Sequence, residues 1–346
     1  MHSSETTGYC AFDYVYFQVL RSCRELGLDK LFDGNPKVEL HAADIQAQMH
    51  IPAHSTRLLL LAACAFGLLK RDEASQLYRL DGVLAANQDI LPVDFDWIRR
   101  VYLPSWSHLT DSLREGRNAG LAVLPGPGNT LYERLASHPA LEAAFARARG
   151  ETVKTRRLPL LLAAMKKLPH FRHVLDVGGG DGTTAKGIVA CFEHVRVTVL
   201  DLPTVAEVGR GRTSAESLGR VDFVGGDALS RTWPRGADCV LFSAFLEIFS
   251  VDQIRAALSK AFDTLPPGGH VLINQTICSD SETGPVWPAV LSLYFANLAS
   301  GSGMTYPRAD FEHWCRRAGF ESFQTFQEEG SDACVMIANK AGAATV

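Results

Sequence analysis

The stretch Val174–Phe192, VLDVGGGDGTTAKGIVACF, places an acid and four glycines between an apolar run and a helical pattern. The acid, Asp176, comes just before the glycines, at the end of a predicted buried strand. Glycines at such a turn let the backbone approach a ligand closely. The stretch therefore predicts a ligand site between this strand and the helix that follows it.

Two more acids end later β-rich runs, Asp201 in VTVLDLP and Asp227 in VDFVGGDAL. In a parallel sheet the carboxyl ends of the strands share one edge, so we expect the three carboxylates to face one ligand. Asp176 suits an ammonium group, Asp201 a ribose diol and Asp227 an adenine amino group. A ligand with these three groups and no phosphate is S-adenosylmethionine, which we predict as the cofactor.

The same glycines also fit a dinucleotide site. Gly180-Asp-Gly182-Thr-Thr-Ala185 matches the pattern GxGxxA, and Asp201 follows at about 20 residues, as that fingerprint requires. A pyrophosphate could then bind the helix N-terminus. Asp176 would repel a pyrophosphate, and we therefore favour S-adenosylmethionine. A purely structural role, with glycines forming a tight turn and acids capping helices, is the remaining alternative.

After about residue 170, short β-rich runs alternate with helical patterns such as Val251–Leu265. Strands are predicted at Val174–Val177, Val195–Leu200, Val221–Val224, Cys239–Ala244 and His270–Thr276. The last segments, FQTFQ and ACVMIANK, predict a terminal hairpin. Alternation of this kind is typical of an α/β, doubly wound sheet that binds ligands at the carboxyl ends of its strands.

Before residue 170 helical periodicity dominates. A helix is predicted over Ala11–Leu26, another is capped by His54–Thr56 and stops around Gly67, and Leu77 and Leu80 suit a short ribbon. This order is that of a winged helix. Its second helix is almost wholly apolar with one arginine, so it cannot offer a phosphate-contacting face. We expect it to pack against a second copy of the chain.

Composition limits the function classes. The chain has 346 residues, enough for two domains, and a net charge of −4 with no basic stripe, which argues against nucleic-acid binding. The longest apolar run, Leu58–Phe66, is too short to span a membrane, and the N-terminus lacks a signal-peptide pattern. Eight cysteines without a CxxC pair indicate reduced residues of a cytoplasmic protein, and no metal site is predicted.

Four motifs together, VLDVGGGDG, VTVLDLPTV, VGGDAL and LPPGGHVLI, resemble those of S-adenosylmethionine-dependent O-methyltransferases of small molecules. That family includes plant caffeate-type and bacterial polyketide-tailoring enzymes. The resemblance extends to the family's N-terminal dimerisation winged helix (ELGLDKLFDG to LKRDEASQLYRL) and its closing AGF segment, Arg316–Phe320. It implies a homodimer formed through a winged-helix domain at 1–100. A helical linker or substrate lid at 101–170 and a Rossmann-like catalytic domain with a seven-stranded sheet at 171–346 would follow.

The resemblance also implies site residues. The cofactor would be bound by Asp176, Gly178, Gly180, Gly182, Asp201, Leu202, Asp227, Ala228, Leu229 and Ser243. A small aromatic or polyketide-like acceptor would be bound by Trp106, His108, Phe245, Tyr294 and Asn297, although ordinary packing is an equally good explanation for these residues.

The catalytic positions depart from the family pattern. Members with a phenol-deprotonating base carry a histidine in a stretch like W-I-x-H-D-W-S-D-E, whereas this chain has Glu247 there. The two acids that support the histidine fall at Asn274 or Gln275 and at Gly303. Glu247 is predicted either as the base or as a structural group. A base is dispensable when the acceptor is already anionic.

Oxygen is therefore the first predicted acceptor atom. The alternatives are a carbon, in an enolisable 2-oxo acid or an activated aromatic ring, and a protein that binds the cofactor without methylating anything.

Overall fold

The computed structural model of the chain describes residues 10–32, 35, 37–82, 97–168, 171–214, 217, 219–328 and 330–342. The chain divides into two compact units, Met1–Phe95 and Asp96–Val346. The helical segment 101–170, predicted as a separate linker or lid, belongs to the second unit together with the sheet.

The first unit contains helices α1 (Cys10–Glu25), α2 (Ala42–Met49) and α3 (Ala53–Ala65) and a two-stranded ribbon, β1 (Leu69–Arg71) and β2 (Tyr78–Leu80). The strands are antiparallel, and Leu69 lies opposite Leu80. This is the predicted winged-helix order. Its core consists of buried apolar side chains from all of these elements, among them Leu28, Phe32, Ile45, Leu60 and Leu68.

The predicted start of α3 was wrong. Pro52 is the N-cap and makes no side-chain cap hydrogen bond. Thr56 lies within the helix, where its hydroxyl donates to the Pro52 carbonyl at 3.2 Å. A hydroxyl that bonds four residues back leaves a helix unbroken, which is why Ser and Thr positions alone did not locate the boundary.

The second unit is built on a seven-stranded sheet with the order β5-β4-β3-β6-β7-β9-β8. The strands are β3 (His173–Val177), β4 (Arg196–Asp201), β5 (Val221–Gly225), β6 (Cys239–Ser243), β7 (His270–Thr276), β8 (Phe320–Phe326) and β9 (Ala333–Lys340). Strands β3 to β7 are parallel, and β9 is antiparallel to both β7 and β8. The predicted strands, the terminal hairpin and the seven-stranded α/β sheet are confirmed.

Helices flank this sheet. Those of the second unit are α4 (Leu103–Ser105), α5 (Leu109–Glu115), α6 (Leu131–Leu135), α7 (Pro139–Thr152), α8 (Leu158–Met165), α9 (Thr183–Cys191), α10 (Pro203–Gly211), α11 (Val251–Thr264), α12 (Val286–Tyr294) and α13 (Arg308–Ala318). Two π-helical segments matter for the site, Val153–Arg157 and Phe295–Ala299. Every residue of β3, β6 and β7 is buried, as expected for central strands covered on both faces.

The helices before the sheet pack onto the α12 region rather than forming a domain of their own. Trp97, Val101 and Leu131 share one buried cluster with Tyr294 and Phe295. Ile248, just after β6, contacts both this helical cluster and the core beneath the sheet. The helical layer therefore reaches the carboxyl edge of the sheet. Among the described residues, no helix combines the length and the apolar character needed to cross a bilayer.

Candidate active site

The glycine loop begins directly after β3. Gly178 adopts a left-handed φ of +72°, and a Cβ at this position would overlap the ring of Phe245. A Cβ on Gly179 would overlap the carboxylate of Asp176. Both positions exclude a side chain, because the loop lies directly on the groups that line the sheet edge. This supports the prediction that the glycines bring backbone close to a ligand.

Asp176 lies on β3 under this loop, with none of its surface exposed. Within the described residues, neither of its carboxylate oxygens has a hydrogen-bond partner. Burial, followed by the charge of Asp201, raises the pKa of Asp176 to about 7. A buried acid without a partner requires an explanation. The missing partner that fits best is a cation such as an ammonium group.

Asp201 ends β4 and is held by backbone donors. Gly180 N–H donates to Oδ2 and Leu202 N–H donates to Oδ1, each at 2.7 Å. An ionised carboxylate can accept about four hydrogen bonds. This arrangement suits a pair of ribose hydroxyls. Leu202 takes part through its backbone.

Asp227 follows β5 on an exposed turn and organises that turn. Its carboxylate accepts hydrogen bonds from Leu229 N–H and the Ser230 hydroxyl, both at 2.9 Å. Lys260 of α11 donates to the carbonyls of Ala228 and Leu229, at 3.1 and 2.7 Å. The loop predicted to bind adenine is therefore held in place by hydrogen bonds from its own residues and from Lys260. The sequence motifs did not indicate Lys260.

Ser243 and Asn274 lie side by side at the ends of β6 and β7. The Asn274 amide donates to the Ser243 hydroxyl at 3.1 Å, and both residues are buried. Asn274 Oδ1 has no partner in the described part of the chain. Alternation along the strands puts Asp176, Ser243 and Asn274 on the same face of the sheet as Leu241 and Leu272. That face therefore carries buried oxygens that remain free to accept hydrogen bonds.

Three of the predicted acceptor residues meet in or beside an aromatic wall. The Tyr102 ring lies 5.4 Å from Trp106 and 6.1 Å from Tyr294, measured between centroids. Burial raises the pKa of the Tyr102 hydroxyl. His108 is half-buried on the same 3-10 turn as Trp106. Tyr102 was not predicted, because the sequence around it, VYLPSW, carries no recognisable motif.

Phe245 is buried at the other side of the site, against the glycine loop. Its ring is stacked with Phe242 at 5.9 Å and meets Phe249 edge-on at 4.8 Å. The ring lies against Gly178, on the cofactor loop. Phe245 thus joins the predicted cofactor site to the segment that follows β6.

Asn297 is enclosed within the helical layer. Its amide donates to the Ser105 carbonyl at 2.9 Å and accepts from the Ser112 hydroxyl at 2.8 Å, and no part of the residue is exposed. Gly120 packs directly against it. The structure thus favours the packing alternative for Asn297 over the predicted contact with an acceptor, because both ends of the amide already bond protein groups.

Glu247 is buried at the carboxyl edge, on the 3-10 turn after β6, with 2% of its surface exposed. Its Oε1 lies 3.3 Å from Arg157 Nη2, and its Oε2 accepts from Thr276 N–H at 3.2 Å. Arg157 also donates to the Thr276 hydroxyl at 2.9 Å and to the Asn274 carbonyl at 3.4 Å. Glu247 is therefore one half of a buried ion pair.

Arg157 is a site residue that sequence reasoning missed. It ends the π-helical segment Val153–Arg157, directly before α8. π-helical segments are frequent at functional sites, but no residue pattern in the sequence predicts where they occur. Only the fold brings a residue 90 positions away in the chain against Glu247.

The resemblance implied supporting acids at Asn274 or Gln275 and at Gly303. A Cβ on Gly303 would overlap the backbone of Glu247 and Ile248, so this position has no room for an acid. Gln275 is fully buried, and its amide oxygen and nitrogen have no partner among the described residues. Neither Gly303 nor Gln275 supplies a carboxylate at this edge of the sheet.

The amino edge of the sheet carries a cleft of its own. A cleft of about 530 Å³ lies at the opposite, amino edge, lined in part by Arg172, His194, Arg196 and Asp238. Among the described residues, no group of three histidines, cysteines, aspartates or glutamates could hold a metal ion.

Comparison with known proteins decides the family. A family model described as an O-methyltransferase domain matches residues 106–321, which is more than half of the chain. The chain belongs to this O-methyltransferase family.

Relatives in the family match along nearly the whole chain. An L-tyrosine C(3)-methyltransferase from Streptomyces lavendulae is 31% identical, over 97% of this chain and 93% of that protein. A 3-hydroxy-5-methyl-1-naphthoate 3-O-methyltransferase from Streptomyces sahachiroi is 29% identical, over 92% of this chain and 90% of that protein.

Solved structures agree. The S-adenosylmethionine-dependent methyltransferase SibL has a TM-score of 0.77 and 32% identity, covering 96% of this chain and 98% of its own. Human N-acetylserotonin methyltransferase in complex with S-adenosylmethionine has a TM-score of 0.79 and 25% identity, covering 99% and 100%. The protein is thus a methyltransferase of the class I fold that uses S-adenosylmethionine, which confirms the predicted cofactor and enzyme class. The unpartnered oxygens of Asp176 fit that cofactor's ammonium group.

Proposed function

We propose that the enzyme methylates a hydroxylated aromatic small molecule, with the hydroxyl oxygen as the first acceptor atom. The observation that carries this proposal is the aromatic wall of Tyr102, Trp106 and Tyr294. Aromatic side chains favour offset-stacked and edge-to-face contacts with another ring. Through Ile248 the wall is continuous with the turn that holds Glu247, so an aromatic acceptor on it would lie beside the sheet's carboxyl edge.

The residues at this edge would hold the cofactor in the following way. Asp176 binds its ammonium group, Asp201 its ribose hydroxyls, and the Asp227 turn its adenine. When bound, the cofactor supplies an electrophilic methyl group on a sulfonium. The protein's part is to align the acceptor oxygen with that methyl group, and alignment alone accounts for a large share of the rate of such displacements.

A ring carbon is the second candidate acceptor atom. One relative that matches along 97% of this chain is named for methylating the C3 carbon of tyrosine. The loss of the family's histidine at position 247 is compatible with either atom. A ring carbon next to an ionised hydroxyl is itself nucleophilic, so the same aromatic wall would serve for carbon transfer. An enolisable 2-oxo acid would make less use of this wall.

Product analysis tests both candidates. The enzyme is incubated with ¹³C-methyl-labelled cofactor and a panel of phenols, hydroxybenzoates, hydroxynaphthoates and tyrosine. The carbon chemical shift of the product distinguishes a methoxy group from an aryl methyl group. We expect S-adenosylhomocysteine and a methylated aromatic product. Turnover of 2-oxo acids alone, or of none of these compounds, would contradict the proposal.

We further propose that the enzyme is a cytoplasmic homodimer assembled through its first unit. The described cysteines, at positions 23, 64, 191, 239, 278, 315 and 334, are free thiols, as expected in a reducing compartment. On α3, Leu58 and Leu61 are 53% and 68% exposed. Their spacing of three residues puts them on one face, and an exposed apolar face is typical of a subunit interface.

A further inference from the structure

Glu247, at the position where the family resemblance implies the base, forms a buried ion pair with Arg157. We infer that Arg157 is a positioning residue that keeps Glu247 from acting as a base, so that the enzyme selects acceptors whose hydroxyl ionises in solution. This inference rests on the proposed function and narrows its substrate class to acidic phenols and similarly acidic aromatic hydroxyl compounds.

The contacts of Glu247 support this role. One carboxylate oxygen faces the Arg157 guanidinium at 3.3 Å, and the other accepts the Thr276 backbone N–H at 3.2 Å. A general base must reach the proton that it removes and must have an oxygen available for it. Here both oxygens are already bonded to the protein. Removing a proton from the acceptor would require breaking at least one of these bonds in a buried site.

Arg157 is itself held firmly. It bonds the Asn274 carbonyl and the Thr276 hydroxyl of β7 as well as Glu247, and its side chain is 9% exposed. A buried guanidinium requires a counter-charge, and Glu247 provides it. Transfer of a proton to Glu247 would leave Arg157 as an unpaired buried cation. The pair therefore opposes protonation of the carboxylate.

The surroundings lack the groups that would support a base. Gly303 has no room for a side chain beside Glu247, and Gln275 carries no charge. In triads and related sites a third group orients the base and stabilises its protonated form. Nothing at these two positions can do so for Glu247.

The proton balance follows from this arrangement. The acceptor hydroxyl loses its proton to water before transfer. The electron pair of the acceptor oxygen forms the new O–C bond while the C–S bond breaks, and the C–S electrons remain on sulfur. The two charges cancel, and no proton is exchanged with the protein in this step. For a ring carbon, the ring proton leaves to water afterwards.

An acceptor series with graded acidity tests the selection. Turnover is measured against pH for substituted phenols whose pKa values extend from about 7 to about 10, the latter being the ordinary tyrosine value. We expect the midpoint of each profile to follow the pKa of the acceptor. The protein's own titratable groups near the site are Asp176, Asp201, Glu247, Tyr102, Tyr294 and His108. They are the same for every acceptor, so they cannot move the midpoint of the pH profile from one acceptor to the next. A midpoint that stays constant across the series would overturn the inference.

A double-mutant cycle tests the pair. We expect Arg157→Gln and Glu247→Gln each to lower kcat by no more than about tenfold, because each leaves one buried charge unpaired but removes no base. The double variant should retain clearly more activity than the product of the two single effects, and Arg157→Lys should lose less than Arg157→Gln. If Glu247 is a base, Glu247→Gln loses about 10²-fold or more, and adding Arg157→Gln restores nothing.

Two controls separate this inference from the proposed function. The exposed pair of Arg255 and Asp252 on α11, with 3.6 Å between its charged atoms, is the matched control, and neutralising both residues should leave kcat unchanged. Thermal unfolding of the four pair variants needs no acceptor and should show the same non-additivity. If the unfolding free energies are non-additive but no aromatic compound is turned over, the proposed function is rejected and the interaction between Arg157 and Glu247 is retained. If aromatic compounds are turned over but the effects of the two substitutions on kcat are additive, the proposed role of Arg157 is rejected.

Discussion

Asp176, which we propose as the partner of the cofactor's ammonium group, is unfavourable for the stability of the cofactor-free fold. Its carboxylate is completely buried without a hydrogen-bond partner in the described chain, and its pKa is raised to about 7, by burial first and Asp201 second. An unfolded aspartate titrates near pH 4. Between these two values the folded, cofactor-free protein binds a proton that the unfolded chain does not. Stability contributed by this residue therefore falls as pH rises from about 4 to about 7.

Asp176→Asn removes this titration. We expect the cofactor-free variant to gain stability over the wild type at about pH 8 and to gain little at about pH 4, measured as the free energy of unfolding. We also expect its affinity for S-adenosylmethionine to fall about tenfold at pH 8 and to lose the rise between pH 6 and 8 that the wild type should show. Equal pH dependence of binding in both proteins would exclude Asp176 as the partner of the ammonium group.

Asp201 is the second single residue whose replacement tests the cofactor site. We expect Asp201→Ala to weaken S-adenosylmethionine binding by about 2 kcal/mol, because charge-assisted hydrogen bonds to the ribose are lost. The carboxylate also fixes Gly180 and Leu202, so Asp201→Asn is the matched variant, which keeps one acceptor for these backbone donors. Titration calorimetry measures both. Unchanged affinity in the alanine variant would refute the ribose assignment.

At the scale of elements, the side-chain amides of Asn297 and Asn118 join the helical layer to the π-helical segment after α12. Asn297, on the π-helical segment Phe295–Ala299, bonds Ser105 of α4 and Ser112 of α5. Replacing it leaves two buried polar groups without their partner. These bonds hold part of the segment 101–170, predicted as a linker or lid, against the rest of the second unit. A polar residue in an apolar helical run does not reveal which distant helix it bonds.

We therefore expect Asn297→Ala to destabilise the protein by about 1–3 kcal/mol, as for buried hydrogen-bonding groups left unsatisfied. Thermal unfolding measures this loss. The KM for the acceptor should change little at a temperature where the variant is folded. A raised KM with unchanged stability would instead support the substrate contact that the sequence predicted. Ser107→Ala, which changes an exposed hydroxyl on the neighbouring turn, is the control.

At the scale of the whole molecule, the proposed dimer depends on exposed apolar side chains of the first unit. Leu58→Glu combined with Leu61→Glu should convert the dimer into a monomer, because burying two carboxylates at an apolar interface is strongly unfavourable. Sedimentation velocity at micromolar concentration measures the change. Leu113→Glu is the matched control, since Leu113 is 61% exposed and lies on α5 of the second unit. A wild-type protein that sediments as a monomer would contradict the proposal.

The sequence by itself determined the sheet, the cofactor class and the family. Strand–helix alternation and the acids that end β3, β4 and β5 are local patterns, and the parallel sheet brings strand ends to one edge whatever the details of packing. The lack of the histidine and acids that the family resemblance implies stays a prediction from the residue types at positions 247, 274 or 275 and 303.

Only the tertiary structure decided which groups Glu247 contacts. Arg157 and Glu247 are 90 residues apart, and their contact depends on how a π-helical segment directs the start of α8 onto the sheet. The same holds for the burial of Asp176 and the enclosure of Asn297, which depend on the packing of several elements at once. Residue patterns encode local structure and strand order. They do not encode which long side chains meet once the layers are packed, and at this site that meeting decides the chemistry.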